Sequence, residues 1–230
     1  MAKLGQHVMV DKRVLERIAD SAQIRKGDRV LEIGAGDGIL TEELVNRGAH
    51  VIAIEIDGRL FESLRARFPS QQLINADALR VRWPPFDKCV SNPPYSISKK
   101  LILKLLQHNF KLGVLTLQKE FAEKLAAKPG EKKYGVVSVC TQLCCDIELL
   151  GRIPRNAFRP QPKVDSRLVR LTTRLRLDTG FLSFVREMFQ KRNKKVGARR
   201  VRELRPEDFL TLYQHNKTRS RPAHCQFPSL

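Results

Sequence analysis

The residues able to do chemistry sit at the ends of short β-branched runs. RVLEI (29–33) leads into a turn containing Gly34, Gly36 and Gly38, glycines that let the backbone reverse sharply and come close to a ligand. Glu55 falls at the end of the next run, HVIAIEI (50–56), about twenty residues further on, where a doubly wound sheet presents an acid to ribose hydroxyls. Each charge-assisted bond of that kind is worth ~1.5–3 kcal/mol. Asp77 closes QLINAD (72–77) and is placed to receive the amino group of an adenine. A full G-x-G-x-x-G signature is absent, because Leu40 and Thr41 follow the three glycines. The three strand ends together point to an adenosine-containing cofactor. A fourth run, KCVSN (88–92), opens directly into Asn92-Pro93-Pro94-Tyr95. Pro-Pro stiffens the backbone and removes two donors, leaving carbonyls free to face a ligand. These residue types suit a planar amine substrate, and they favour S-adenosylmethionine over a nicotinamide.

The elements that must position these groups can be read from periodicity. Val14, Leu15, Ile18, Ala19 and Ala22 recur at helical spacing after Asp11, an N-cap residue, so the chain opens with an amphipathic helix. Strands then alternate with helices over 41–47, 59–68, 100–107 and 119–127, with a fifth strand at LGVLTL (112–117). This alternation predicts βαβ units and a parallel sheet covered on both faces. YGVVSVCTQLC (134–144) predicts a further helix. DIELLGRI (146–153) and KVDSRLVRLTT (163–173) predict two strands joined without a helix, hence antiparallel neighbours at a sheet edge. The expected fold is α/β, with seven strands over residues 1–173. A small basic helical domain is expected over 174–230, with helical spacing at Phe181, Phe184, Val185, Met188 and Phe189.

Charge narrows the partner. The 230 residues carry 43 Lys+Arg against 24 Asp+Glu, a net charge of +19, and +9 of it lies between Arg174 and Leu230. Self-repulsion on that scale disfavours the compact state, and a polyanion is its usual counterpart. The tract from Lys191 to Arg202 holds seven cations, Lys191, Arg192, Lys194, Lys195, Arg199, Arg200 and Arg202, with no acid among them. Phosphate contact is the reading favoured over a solvated helix face. The five cysteines are odd in number and include no C-x-x-C pair, so neither a disulfide framework nor a metal site is expected. Cys140 and Cys144 are expected in the core. No run approaches the ~20 apolar residues of a membrane helix, and the opening MAKLGQHVMVDKRV lacks the pattern of a secretory or transit leader. A cytoplasmic monomer is expected, with no membrane contact.

With these motifs in place, the sequence resembles the class I S-adenosylmethionine-dependent methyltransferases, and within them the rRNA adenine dimethyltransferases. GQHVMVD (5–11), VLEIGAGDGILTEEL (30–44), NADAL (75–79), NPPYSIS (92–98), LQKEFAEKL (117–125) and AFRPQPKVDSRLVRL (157–171) carry the resemblance. It spans residues 5 to about 172. N-P-P-Y alone is shared with DNA adenine and protein glutamine methyltransferases, whereas its co-occurrence with GQ, LQKE and PKVDS is more specific. FQKRNKKVGARR (189–200) is similar, more loosely, to the family's basic C-terminal motif. The resemblance implies a Rossmann-like sheet, with Gly34, Gly36, Glu55, Asp77 and Asn92 around the cofactor and His7 and Met9 over its methionine end. Two departures stand out: His7-Val8-Met9 replaces an Asn-Phe-Leu-like run, and Pro93 replaces a leucine.

The implied activity is dimethylation of two adjacent adenosines near the 3′ end of small-subunit rRNA, with a small-subunit precursor as partner. In that chemistry the Asn92 side-chain oxygen and the Pro93 carbonyl each accept one amine hydrogen, Tyr95 stacks on a flipped base and Phe158 is a candidate for its other face. Two other classes remain: a non-catalytic RNA-binding assembly factor, and a DNA adenine or protein glutamine methyltransferase.

Overall fold

The computed structural model describes residues 7–219. Period-two alternation sorts the sheet's side chains onto two faces. In β2 (Arg29–Ile33) and β3 (His50–Glu55), Val30, Val51 and Ala53 enter one apolar cluster, while Leu31, Ile33, Ile52 and Ile54 enter the other. The first face is covered by α1 (Lys12–Ser21), α2 (Ile39–Asn46) and α3 (Gly58–Arg67), which contribute Ile18, Leu44 and Leu64. Asp11 caps α1 and Asp57 caps α3, each accepting backbone N–H groups of the first turn.

The sheet continues with β4 (Gln72–Asn75), β5 (Lys88–Ser91), β6 (Leu112–Gln118), β7 (Cys145–Ile153) and β9 (Ser166–Thr173). Its order is β4-β3-β2-β5-β6-β9-β7, parallel through β6. β9 runs antiparallel to both β6 and β7, as expected for strands joined without a crossover helix. A separate two-stranded pair joins the chain's beginning to its middle: β1 (Val8–Met9) lies against β8 (Phe158–Arg159), with Met9 opposite Phe158. This pairing spans about 150 residues of sequence and was not predicted.

The second face is covered by α4 (Ser98–Leu105), α5 (Lys119–Leu125) and α6 (Val136–Cys144), followed by α7 (Thr179–Gln190) and α8 (Pro206–Arg219). Cys89, Cys140, Cys144 and Cys145 are free and buried in this layer, and burial pushes their thiols up to about 12. Cys225 lies outside the described residues. The C-terminal region departs from expectation in two ways. Leu177, Phe181, Leu182, Val185, Val201, Leu204 and Phe209 join the same apolar cluster as the sheet, so the described residues after 173 extend that core and build none of their own. The basic tract is also not helical. It forms a hairpin, β10 (Lys195–Val196) against β11 (Arg199–Arg200), turning at Gly197 with φ +62°, because only glycine adopts that conformation at low cost.

A shared core makes unfolding cooperative. Phe181 is fully buried, and Phe181→Ala is expected to destabilise the chain by about 3–5 kcal/mol. In urea titrations followed by circular dichroism, one transition should shift as a unit; a separate, selectively weakened C-terminal transition contradicts the shared core.

Candidate active site

β2, β3 and β5 end side by side, so the turns that follow them converge. Parallel pairing between β2 and β5 stops at Leu31 and Cys89, and the Ser91 hydroxyl then accepts the Ile33 backbone N–H at 2.7 Å, holding the two strand ends together. Gly34 follows at φ +71°, donating its N–H to the Ile54 carbonyl at 2.7 Å. A Cβ at Gly34 would stand 3.2 Å from Pro94 Cδ, a tight contact, and the φ of +71° strains any other residue there, so glycine suits the close approach of the turn to the Asn-Pro-Pro-Tyr loop.

Two cavities open on either side of this contact, and both include Gly34 and Pro94. The first, about 160 Å³, is lined by His7, Met9, Glu32, Gly36, Asn92 and Tyr95, with Pro93 at its wall. The second, about 100 Å³, is lined by Glu55 and Asp77 with Ile54, Ile56 and Ile97. Seven of the predicted site residues, His7, Met9, Gly34, Gly36, Asn92, Pro93 and Tyr95, therefore meet in the first cavity or at the shared contact, and the two acids meet in the second. Gly5 and Gln6 lie outside the described residues.

Most of the polar groups here have a defined partner. Glu55 is buried, and its two carboxylate oxygens accept the Gly36 and Asp57 backbone N–H groups, both at 2.9 Å. Each oxygen keeps a lone pair for a hydroxyl. Asp77 accepts the Leu79 N–H at 2.8 Å and lies 3.5 Å from Arg80. Asn92 Nδ2 donates to the His7 carbonyl at 3.0 Å. A carbonyl accepts only, so this bond settles which end of the amide faces it, and Oδ1 has no hydrogen-bond donor among the described residues. The Pro93 carbonyl has no hydrogen-bond donor among the described residues. The His7 ring is tied through Nδ1 to the Pro160 carbonyl at 2.8 Å and lies 5.6 Å from the Tyr95 ring. The Tyr95 hydroxyl is hydrogen-bonded to Ser166, which pins the ring, and burial pushes its phenol above the ordinary value.

Phe158 does not reach this site. It is fully buried in the apolar cluster beneath β1, so it offers no free face to a base: the β1–β8 pairing turns it inward as a hydrophobic plug. Sequence reasoning also missed Glu32. This acid is 2% exposed, accepts the Thr41 hydroxyl at 2.6 Å and lines the first cavity. Burial is the main cause that pushes its carboxyl up to about 8, with the nearby Glu55 and Asp37 charges adding to it. The signal was a charged residue inside an otherwise apolar strand.

Of the tract, Lys191, Lys194, Lys195, Arg199 and Arg200 are exposed and Arg192 is half-buried. Arg199 pairs with Asp208 at 3.1 Å and Arg202 lies 3.9 Å from Glu203, so the remaining cations carry the unneutralised charge.

The family model for ribosomal RNA adenine dimethylase matches residues 1–221. The chain belongs to this family. It is 44% identical over 199 residues to the probable ribosomal RNA small subunit methyltransferase A of Methanosarcina mazei, covering 83% of this chain and 73% of that one. Among solved structures, a dimethyladenosine transferase from Plasmodium falciparum superposes with a TM-score of 0.81 at 29% identity, covering 92% of this chain and 98% of the other. The 23S rRNA methyltransferase ErmE superposes with a TM-score of 0.69, also at 29% identity, covering 90% and 98%. The family member described here is thus an rRNA adenine dimethyltransferase with S-adenosylmethionine as methyl donor. Its residues fit that donor: a side-chain-free cradle at Gly34, a buried acid for hydroxyls at Glu55 and a second acid, Glu32, at the cavity that continues toward Asn92. No helix among the described residues is long and apolar enough to cross a membrane.

The raised Glu32 carboxyl has a consequence for stability. The folded, donor-free protein keeps a proton that the unfolded chain releases near 4.5, so stability falls as pH rises from about 4.5 to 8. Melting temperatures across that range should fall less steeply in Glu32→Gln than in the wild type; parallel curves contradict the assignment.

Proposed function

We propose that this enzyme dimethylates the exocyclic amines of two adjacent adenosines near the 3′ end of small-subunit rRNA, acting in the cytoplasm as a monomer on a small-subunit precursor. The relatives' small-subunit substrate supports the choice of RNA. The observation that carries the chemistry is the pair of free acceptors, Asn92 Oδ1 and the Pro93 carbonyl, at the mouth of the strand-end cavity.

S-adenosylmethionine supplies, when bound, an electrophilic methyl group on a sulfonium. Glu55 accepts its ribose hydroxyls and Asp77 the adenine amine, while Gly34, Gly36, His7 and Met9 line the way to the methionine end. An adenine amine is a weak nucleophile, because its lone pair is delocalised into the ring. In the first transfer Asn92 Oδ1 and the Pro93 carbonyl each accept one of its hydrogens, turn the nitrogen toward the methyl carbon and make the lone pair more available; in the second, one of the two accepts the single hydrogen that remains. No strong base is needed: as the N–C bond forms, the methyl group's bond to sulfur would break to leave a neutral thioether, and the amine proton, acidic only then, would pass to water. Catalysis is then mainly positioning, an effect that supplies up to ~7–11 kcal/mol. Tyr95, pinned at its hydroxyl, is a rigid wall for the flipped base, whose stacking returns about 1–3 kcal/mol. Lys191, Arg192, Lys194, Lys195, Arg199 and Arg200 contact RNA phosphates.

Asn92→Ala is expected to lower methyl transfer to undermethylated small subunits by about 100-fold or more, and equal product from variant and wild type removes the assigned role. Glu55→Ala should weaken donor binding about 10-fold or more in calorimetry, the loss of at least one charge-assisted bond; unchanged affinity contradicts the ribose assignment. Neutralising Lys194, Lys195 and Arg200 together should reduce the slope of log affinity against log salt by about 2, and an unchanged slope excludes the hairpin from the RNA contact.

A further inference from the structure

The amino end of the sheet, opposite the cavities described above, carries a concavity of about 920 Å³. It is lined by Arg29 at the start of β2, by the segment from Arg82 to Asp87 before β5, by residues 107–111 before β6 and by Arg176 after β9. The floor is aromatic. Trp83 and His108 stack with centroids 4.8 Å apart and planes at 22°, and Phe86 and Phe110 lie beneath them at 6.3 Å from each other. Trp83, Phe86 and Phe110 are buried, so they present no open faces for bases to stack on.

The rim is cationic. Arg29, Arg82, Lys111 and Arg176 are all exposed, and the one carboxylate in the groove, Asp87, is held by Arg29 at 3.0 Å and lies 3.7 Å from Lys111. Arg82 and Arg176 have no hydrogen-bond or ion-pair partner among the described residues. Lys104 adds a charge from below, with Nζ 4.7 Å from the Trp83 ring centre. The His108 imidazole registers this field: burial, then the charges of Lys104 and Arg176, hold its pKa below the ordinary histidine value. Arg82 and Arg176 stand unpaired beside Arg29 and Lys111, which share the single Asp87 carboxylate, so the rim keeps a net positive charge that repels itself unless an anion enters, and cations spaced around a groove match a chain of phosphates better than a single ion.

We propose that this groove is a second contact for the rRNA substrate, gripping phosphodiester backbone remote from the target adenosines without reading sequence. The inference rests on the functional reading above for its partner. Strands of four to seven residues put the groove about 13–23 Å from the catalytic cavity, so it engages a different stretch of the same RNA. Buried rings and exposed guanidiniums make it a reader of charge only.

Trp83 is the chain's only tryptophan, so its emission reports on the groove alone. The full chain is titrated at low salt with a 15-nucleotide oligouridylate, which contains no adenosine. A saturable change in Trp83 emission is expected in the wild type and in Asn92→Ala. The double variant Arg82→Ala/Arg176→Ala should lose that change and show a salt slope lower by about 1.4, two single-strand phosphate contacts. Its melting temperature and donor binding should match the wild type, since both arginines are exposed and unpaired. Silent emission at saturating RNA, an unchanged slope in the double variant, or an equal response to inorganic phosphate or poly-glutamate at matched charge overturns the proposal. Methyl transfer to small subunits is measured in the same preparations. Transfer with a silent Trp83 rejects the groove alone, and a Trp83 response without transfer rejects the functional reading while the RNA groove stands.

Discussion

The hydrogen bond from Asn92 Nδ2 to the His7 carbonyl governs what the carboxyl end of this sheet can do. An asparagine amide can present either a donor or an acceptor to a ligand, and in solution it would present both. Here the nitrogen is committed to a group that can only accept, so the oxygen is what a ligand meets. The His7 carbonyl is itself held in place, because β1 pairs with β8 and the His7 ring is tied to the Pro160 carbonyl. An arm from the start of the chain and a loop about 150 residues later therefore act together to orient one side chain between them.

The surrounding structure serves that orientation. Ser91 binds Ile33 where regular pairing of β2 and β5 stops, and Gly34 lets Pro94 approach, so the two loops diverge from a common rigid point. The two buried acids at these strand ends are held in opposite ways. Glu55 is met by two backbone N–H groups, one on each oxygen, which leaves each oxygen a lone pair for a hydroxyl. Glu32 has one hydroxyl partner, is buried and lies near the Glu55 and Asp37 charges, and these push its carboxyl up to about 8.

Much of this arrangement was legible in the sequence because it depends on local pattern. β-branched runs ending in Gly34, Glu55 and Asn92 gave the strands, and the lack of a helix between 146–153 and 163–173 gave the antiparallel edge. What could not be read depends on partners distant in sequence. Phe158 looks the same to a sequence reader whether it faces a base or the core, and only the two-residue pairing with Met9 decides. The hairpin at Lys195–Arg200 carried a turn signal in Gly197, but the tract fell inside a region whose apolar spacing predicts helices. The apolar spacing of α7 was correct, while its partner, the layer around α6, was a tertiary matter. Glu32 was overlooked because a strand pattern was accepted with a charge inside it.

The most direct examination of this picture is a crystal structure of the protein with a non-reactive donor analogue and adenosine. The account predicts the adenine amine within 2.7–3.2 Å of both Asn92 Oδ1 and the Pro93 carbonyl, with Nδ2 still on the His7 carbonyl. An amide turned so that Nδ2 meets the adenine, or an adenine seated away from Asn92 altogether, would contradict it.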